Sequence, residues 1–319
     1  MAAPPFRASR GFANAHWQTI YGSLFAPRPA VAYRRERWDT PDGDFVDTDH
    51  VDAEPGRPWV LLFHGLEGSS QSPYARQLMH RVRARRWRGT VVNFRGCGGE
   101  PNRLARAYHS GDSAEVDWIV RRIRAAAGDA PLFTAGVSLG GNAMLKWLGE
   151  QGEAAKPIVT RAAAVSAPVD LMAAGEALGR GFSLFYAKHF LATMKARAEA
   201  KHARFPGSFD LARMRRARTL REFDDVVTAP LHGYRDTDDY WTRASSKPLL
   251  RRVAVPTLLV NAKDDPFLPR EALPAPHEVS EHVRFEFPDE GGHVGFVHGY
   301  PGRIDWLPER LLHFFDHQE

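Results

Sequence analysis

A serine hydroxyl is a weak nucleophile at neutral pH, and it needs a base beside it and a backbone that presents it. The stretch Gly136-Val137-Ser138-Leu139-Gly140 has the form such a presentation takes. It follows an apolar strand-length run at 131–137 and precedes a helical pattern at 139–150, and G-x-S-x-G between a strand and a helix is the nucleophile-elbow pattern. The two glycines suit a turn too tight for side chains, and the serine is expected there in a strained conformation. His293 is the candidate base, in Glu290-Gly291-Gly292-His293-Val294-Gly295. It follows the last strand-like run in a glycine-rich loop ahead of the final helical segment; His298 and His313 compete with it. An acid is needed to hold the tautomer of the base and to stabilise the imidazolium. Asp265, in Asn261-Ala262-Lys263-Asp264-Asp265-Pro266-Phe267, is preferred because it directly precedes the turn that Pro266 begins; Asp264 is the alternative. Acyl chemistry further requires N–H donors for an oxyanion. The backbone N–H of Leu139 and that of Leu66, in His64-Gly65-Leu66-Glu67-Gly68, are the expected pair, with His64 read as a loop-bonding residue.

These residues need a scaffold that brings distant segments to one edge. Apolar runs at 59–63, 90–94, 131–137, 162–166, 256–261 and 282–287 read as strands. Helical periodicity falls between them, clearest over 112–126, where Val116, Ile119, Val120 and Ile123 share a face. Gly89 is read as the stop of a helix over 73–87, and Pro41-Asp42-Gly43 as the turn of a hairpin spanning 33–51. Residues 1–32 look irregular. Strand–helix alternation implies an α/β fold with a mostly parallel central sheet flanked by helices, and the order Ser…Asp…His is that of an α/β-hydrolase. The expected organisation is a single domain with a core at about 33–167 and 255–319. A helical cap at about 168–254, rich in aromatics (Phe182, Phe185, Tyr186, Phe190), is inserted between the two parts.

Composition excludes several other classes. Only one cysteine, Cys97, occurs in 319 residues, so no intrachain disulfide framework exists. The net charge of +5 comes from scattered basic residues, the densest run being Arg81–Arg88 near a helix end, and this favours a solvated face over a nucleic-acid surface. No H-E-x-x-H or paired-cysteine spacing is present, so no metal and no cofactor are expected. Asn93-Phe94-Arg95-Gly96-Cys97-Gly98-Gly99 matches neither a P-loop nor a dinucleotide fingerprint and reads as a structural loop, with Cys97 a buried small residue. No apolar run approaches the roughly 18 residues needed to span a bilayer, and the start lacks an apolar leader; a cytoplasmic protein without a transmembrane segment is expected.

The same motifs, together with His16-Trp17-Gln18-Thr19, Ser72-Pro73-Tyr74, Tyr108-His109-Ser110-Gly111 and the extension of the elbow to Gly141-Asn142, resemble the YheT-like branch of the α/β-hydrolase superfamily over nearly the whole chain. The resemblance implies an esterase-type serine hydrolase with Ser138, Asp265 and His293 as its triad. The expected substrate is a small acyl ester, lipid-like ones included. Acyltransferase or thioesterase chemistry on the same residues is the alternative, and a non-catalytic ligand-binding protein of this fold a more remote one.

Overall fold

The computed structural model describes residues 5–300 and 302–317. Of the stretch 1–32, residues 1–4 lie outside the described part. The remainder corrects the irregular reading: α1 (Ala15–Leu24) forms there, with the Asn14 side chain accepting from the Trp17 N–H at 3.0 Å. The prolines that suggested irregularity lie at positions 4, 5, 27 and 29, outside the helix on both sides.

Among the described residues eight strands form one sheet, in the order β1-β2-β4-β3-β5-β6-β7-β8. β1 (Arg34–Asp39) and β2 (Phe45–Val51) make the hairpin around Pro41-Asp42-Gly43 and pair antiparallel; β2 also meets β4 (Arg88–Asn93) antiparallel. β3 (Trp59–Phe63), β4, β5 (Leu132–Val137), β6 (Arg161–Val165), β7 (Thr257–Val260) and β8 (Val283–Glu286) run parallel. The alternation within β3 explains its unbroken apolar sequence: Trp59, Leu61 and Phe63 enter one core, and Val60 and Leu62 the other. A strand buried on both faces has no polar side to show. The first core is closed by α3 (Ser113–Ala127) and α4 (Leu139–Gln151), through Ile119, Ile123, Leu145 and Leu148. The second is closed by α2 (Pro73–Ala84) and a final helix, through Leu78, Val82, Leu311 and Phe315.

Gly89 is not the helix stop. The reversal falls at Arg86, at φ +55°, while Gly89 lies in β4, where a Cβ would sit 2.5 Å from Met79 Sδ. It is a close-approach glycine. The basic run 81–88 also finds partners: Arg81 and Arg85 pair with Glu309 at 2.6 and 3.1 Å, across to the final helix.

Between β6 and β7 the described chain contains helices and no strand: α5 (Leu171–Leu178), α6 (Ser183–Arg204), α7 (Leu211–Arg216), α8 (Leu220–Phe223), a π-helical turn at Asp224–Thr228, α9 (Ala229–Leu231) and α10 (Thr237–Ala244). All but α10 contribute to a cluster containing Tyr186, Leu191, Met214 and Phe223, which also takes in Phe267 and Leu268 from the loop after β7; α10 packs through Tyr240, Trp241 and Ala244 against Leu171 of α5. The final helix, α11 (Trp306–Asp316), completes the fold.

Gly149, inside α4, tests this packing. Alanine in a helix interior normally stabilises by about 1 kcal/mol over glycine. Here an added Cβ would lie 2.6 Å from both the Leu249 carbonyl oxygen and the Leu249 Cβ. Gly149→Ala is therefore expected to destabilise, by about 1–3 kcal/mol, read as a lower denaturant midpoint. A raised midpoint would contradict the packing described.

Candidate active site

The turn between β5 and α4 carries Ser138 at φ +52°, a conformation non-glycine residues rarely adopt. Such strain costs of order 1–3 kcal/mol and needs surroundings that enforce it. They are present. The Ser138 N–H donates to the Val165 carbonyl at 2.8 Å. A Cβ on Gly136 would meet Gly141 Cα at 2.6 Å, and one on Gly140 would meet the carbonyl oxygens of Phe63 and His64 at 2.5 Å. The turn closes because both positions lack side chains.

His293 Nε2 lies 3.0 Å from Ser138 Oγ, and His293 Nδ1 lies 2.8 Å from Asp265 Oδ2 and 3.1 Å from Oδ1. A carboxylate only accepts, so the ring proton sits on Nδ1 and the lone pair on Nε2 faces the serine. Asp265 is buried, and its Oδ1 also accepts the Phe267 N–H at 2.8 Å. The Phe267 ring stacks on the imidazole with centroids 4.1 Å apart. Asp264 turns the other way. Its Oδ1 accepts the Gly292 N–H at 2.9 Å, and burial raises its pKa. The competing histidines lie elsewhere: His298 pairs with Asp305 at 2.5 Å, and His313 stacks on His317 at the end of α11.

Leu139 is the first residue of α4, where a backbone N–H has no intrahelical acceptor. In the 64–68 loop, the hydroxyls of Tyr74 and Tyr108 accept the N–H groups of Gly65 and Glu67 at 2.9 and 2.8 Å. These two bonds fix the amides on either side of Leu66. Leu66, Leu139, Ser138 and His293 all border one cavity. Gly65 brings its loop against the serine, since a Cβ there would be 3.1 Å from Ser138 Cβ. His64 is fully buried. Its Nδ1 bonds the Gly65 carbonyl at 2.7 Å, its Nε2 accepts the Phe94 N–H at 3.1 Å, and burial lowers its pKa to about 4.

Three supporting residues were not identified from sequence. Thr19 Oγ1, on α1, accepts the His293 N–H at 2.9 Å, and Ser166 Oγ accepts the Val294 N–H at 3.1 Å. The Asn142 side chain donates to the carbonyls of Ser110 and Ala244, at 3.0 and 2.8 Å, and accepts the Ser246 N–H at 3.0 Å. Thr19 and Asn142 end two of the motifs noted above, but nothing in their spacing tells what they bond.

The cavity has a volume of about 430 Å³. Much of its wall is apolar, with Leu66, Leu139, Leu171, Phe190, Met194 and Phe267 among the lining residues. Arg197 and Lys201, from α6, also border it. Arg197 pairs with Glu67 at 3.2 Å and donates to Cys97 Sγ at 2.9 Å. Burial pushes the Cys97 thiol up to about 11, so it is an inert neighbour of the site. Among the described residues no group of three or more His, Cys, Asp or Glu side chains is placed to hold a metal ion.

The family model described as the alpha/beta hydrolase fold matches residues 58–300. The chain belongs to the α/β-hydrolase family. Within this α/β-hydrolase family it is YheT-like: it is 41% identical over 314 residues to YheT of Escherichia coli (strain K12), an esterase by inference, covering 96% of this chain and 91% of that protein. It is 32% identical to the mouse phospholipase ABHD3 over 93% of this chain and 74% of that one. Among solved α/β-hydrolase structures, an esterase from Exiguobacterium antarcticum superposes with a TM-score of 0.57 at 17% identity, covering 88% of this chain and 99% of that chain, which speaks for the fold alone.

The neutral, buried His64 carries a consequence for stability. Its pKa is about 4 when folded, against an ordinary value of 6.5. Between these values the unfolded chain binds the proton and the folded chain does not, so stability falls as the pH drops from about 6.5 toward 4. The loss approaches roughly 3 kcal/mol for this one group. Chemical denaturation at a series of pH values is expected to show a steeper acid decline in the wild type than in His64→Gln; parallel curves would show that His64 does not carry the effect.

Proposed function

We propose that this protein is a serine hydrolase that cleaves a carboxylic ester through an acyl-enzyme intermediate. The observation that carries this is the hydrogen-bonded row of Ser138, His293 and Asp265, at 3.0 and 2.8 Å, opening on an apolar cavity. Ser138 Oγ attacks the ester carbonyl while His293 Nε2 takes its proton, and Asp265 stabilises the imidazolium. The oxyanion receives the N–H groups of Leu139 and Leu66. As the tetrahedral intermediate collapses, the C–O bond to the alcohol breaks and Nε2 returns the proton to the departing oxygen. Water, activated by the same imidazole, then adds to the acyl-enzyme and releases the acid.

The helices of 168–254 serve as a cap over this site, and the apolar wall takes the acyl chain. A cavity of about 430 Å³ favours a substrate of lipid-like size. Relatives named as a phospholipase and, in Saccharomyces cerevisiae, as a monoacylglycerol lipase support an ester with a long apolar acyl group.

A fluorophosphonate probe is expected to label the wild type and not Ser138→Ala, and Ser138→Ala is expected to lose hydrolysis of p-nitrophenyl esters. Asp265→Asn should lower kcat by up to about 10⁴-fold, because the amide favours the wrong imidazole tautomer. Asp264→Asn, which leaves that tautomer alone, should cost far less. Equal labelling of Ser138→Ala would refute the nucleophile, and a larger loss in Asp264→Asn than in Asp265→Asn would refute the acid.

A further inference from the structure

Most large apolar side chains of the described residues are buried, but a compact group is not. Trp17, Leu24 and Phe25, on and just after α1, are 42, 61 and 61% exposed; Phe182, Leu184 and Phe185, at the start of α6, are 55, 41 and 59% exposed. The two elements adjoin. The His16 ring lies 4.4 Å from that of Phe182, and His16 Nδ1 lies 3.1 Å from the Tyr186 hydroxyl. Trp17 contacts Phe25 at 6.1 Å on one side and Phe182 contacts Phe185 at 5.8 Å on the other, and His16 joins the two groups. A contiguous exposed apolar patch marks a surface that meets something.

Charge identifies the partner. Asp and Glu make up 38 of the 319 residues, yet residues 5–32 and 177–198, which carry the patch, contain none. These stretches do contain Arg7, Arg10, Arg28, Arg180 and Lys188, all exposed. Arg180 has a neighbour in Glu176, at 3.3 Å, at the border of the second stretch. Arg7 shares a surface hollow with Glu286, Asp289 and Glu290, which leaves Arg10, Arg28, Arg180 and Lys188 as the cations nearest the patch in sequence. Exposed aromatic and leucine side chains on stretches that carry cations and no acids fit an anionic bilayer surface, whose hydrocarbon takes the apolar groups while its headgroups meet the cations. A second copy fits poorly, since pairing the patch with itself would oppose like charges. No helix among the described residues is long and apolar enough to cross a membrane; such a patch lies on a surface.

We propose that the face formed by α1 and the start of α6 docks the protein on anionic phospholipid bilayers. The face adjoins the candidate active site: rings run from Phe182 to Tyr186 at 6.0 Å, to Phe267 at 4.8 Å and to His293 at 4.1 Å. Docking does not depend on Ser138 chemistry, so the two readings fail separately.

Vesicle flotation of the full chain tests it, with phosphatidylcholine vesicles and with phosphatidylglycerol-rich ones, at low and high salt. The wild type and Ser138→Ala should both float with the anionic vesicles, less so at high salt. The triple variant Leu24→Ser, Phe25→Ser, Phe185→Ser, checked for native circular dichroism, should bind at least about ten-fold more weakly, because three apolar side chains no longer enter the interface. Should that variant misfold, Arg28→Glu with Lys188→Glu replaces it, and loss of the preference for phosphatidylglycerol is expected. Absence of flotation by the wild type overturns the proposal, as does unchanged binding by the folded variants. A concentration-dependent dimer in light scattering that the triple variant abolishes would overturn it in favour of a second copy.

Discussion

The bare contact between α4 and the end of β3 is the constraint on which the site depends. At Gly140 the helix passes so close to the carbonyls of Phe63 and His64 that even one methyl group would not fit. That closeness forces Ser138 into its left-handed turn and seats it against the 64–68 loop, so that Ser138 and Leu66 border the same cavity. The strain is held by the two sheet-centre strands, β3 and β5, and by the carbonyl of Val165. A packed, water-free core resists relaxation in a way no surface loop can.

The candidate base is held by polar bonds as well as by packing. Its loop lies close against α1 at Gly292 and Gly295 and sends Phe296 into the second core, and polar bonds donated into three separate segments add to its hold: Thr19 from α1, Ser166 after β6, and Asp264 after β7. Asp264 thus supports the loop whose imidazole meets Asp265. Neighbouring aspartates divide the work, one fixing backbone and the other fixing the ring. Asn142 extends the arrangement outward by joining α4 to the segments at Ser110, Ala244 and Ser246. Each of these side chains is buried or half-buried and takes or gives a backbone bond, so removing any one would strand its partners.

What could be read from the sequence follows from what each feature requires. The elbow, the strand run 59–63 and the amphipathic helix at 112–126 are local patterns, and local sterics or periodicity make them visible. Asp265 was separable from Asp264 only by the turn at Pro266. α1 was hidden by its flanking prolines, and its hold on His293 spans 274 positions, a distance at which no periodicity operates. The aromatics at 182–190 looked alike as a string; the structure sends Phe190 to the cavity and Phe182 and Phe185 to the surface, because a helix divides its residues among faces according to their angular position. His64, conspicuous as a titratable group beside the serine, is set apart by its two backbone bonds, which leave no lone pair or proton for chemistry.

The bond between Thr19 and His293 has a consequence for biosynthesis. Translation delivers Thr19 274 positions ahead of His293, and the hydroxyl waits for its amide until the glycine loop has left the ribosome. The sheet can begin to assemble from β1 to β6 while the chain is still being extended, since those pairings need only earlier residues. The serine turn can therefore be complete long before His293 reaches it. On the proposed mechanism, a nascent chain of this protein would carry a finished serine turn without His293, and reactivity would arrive in a single late step.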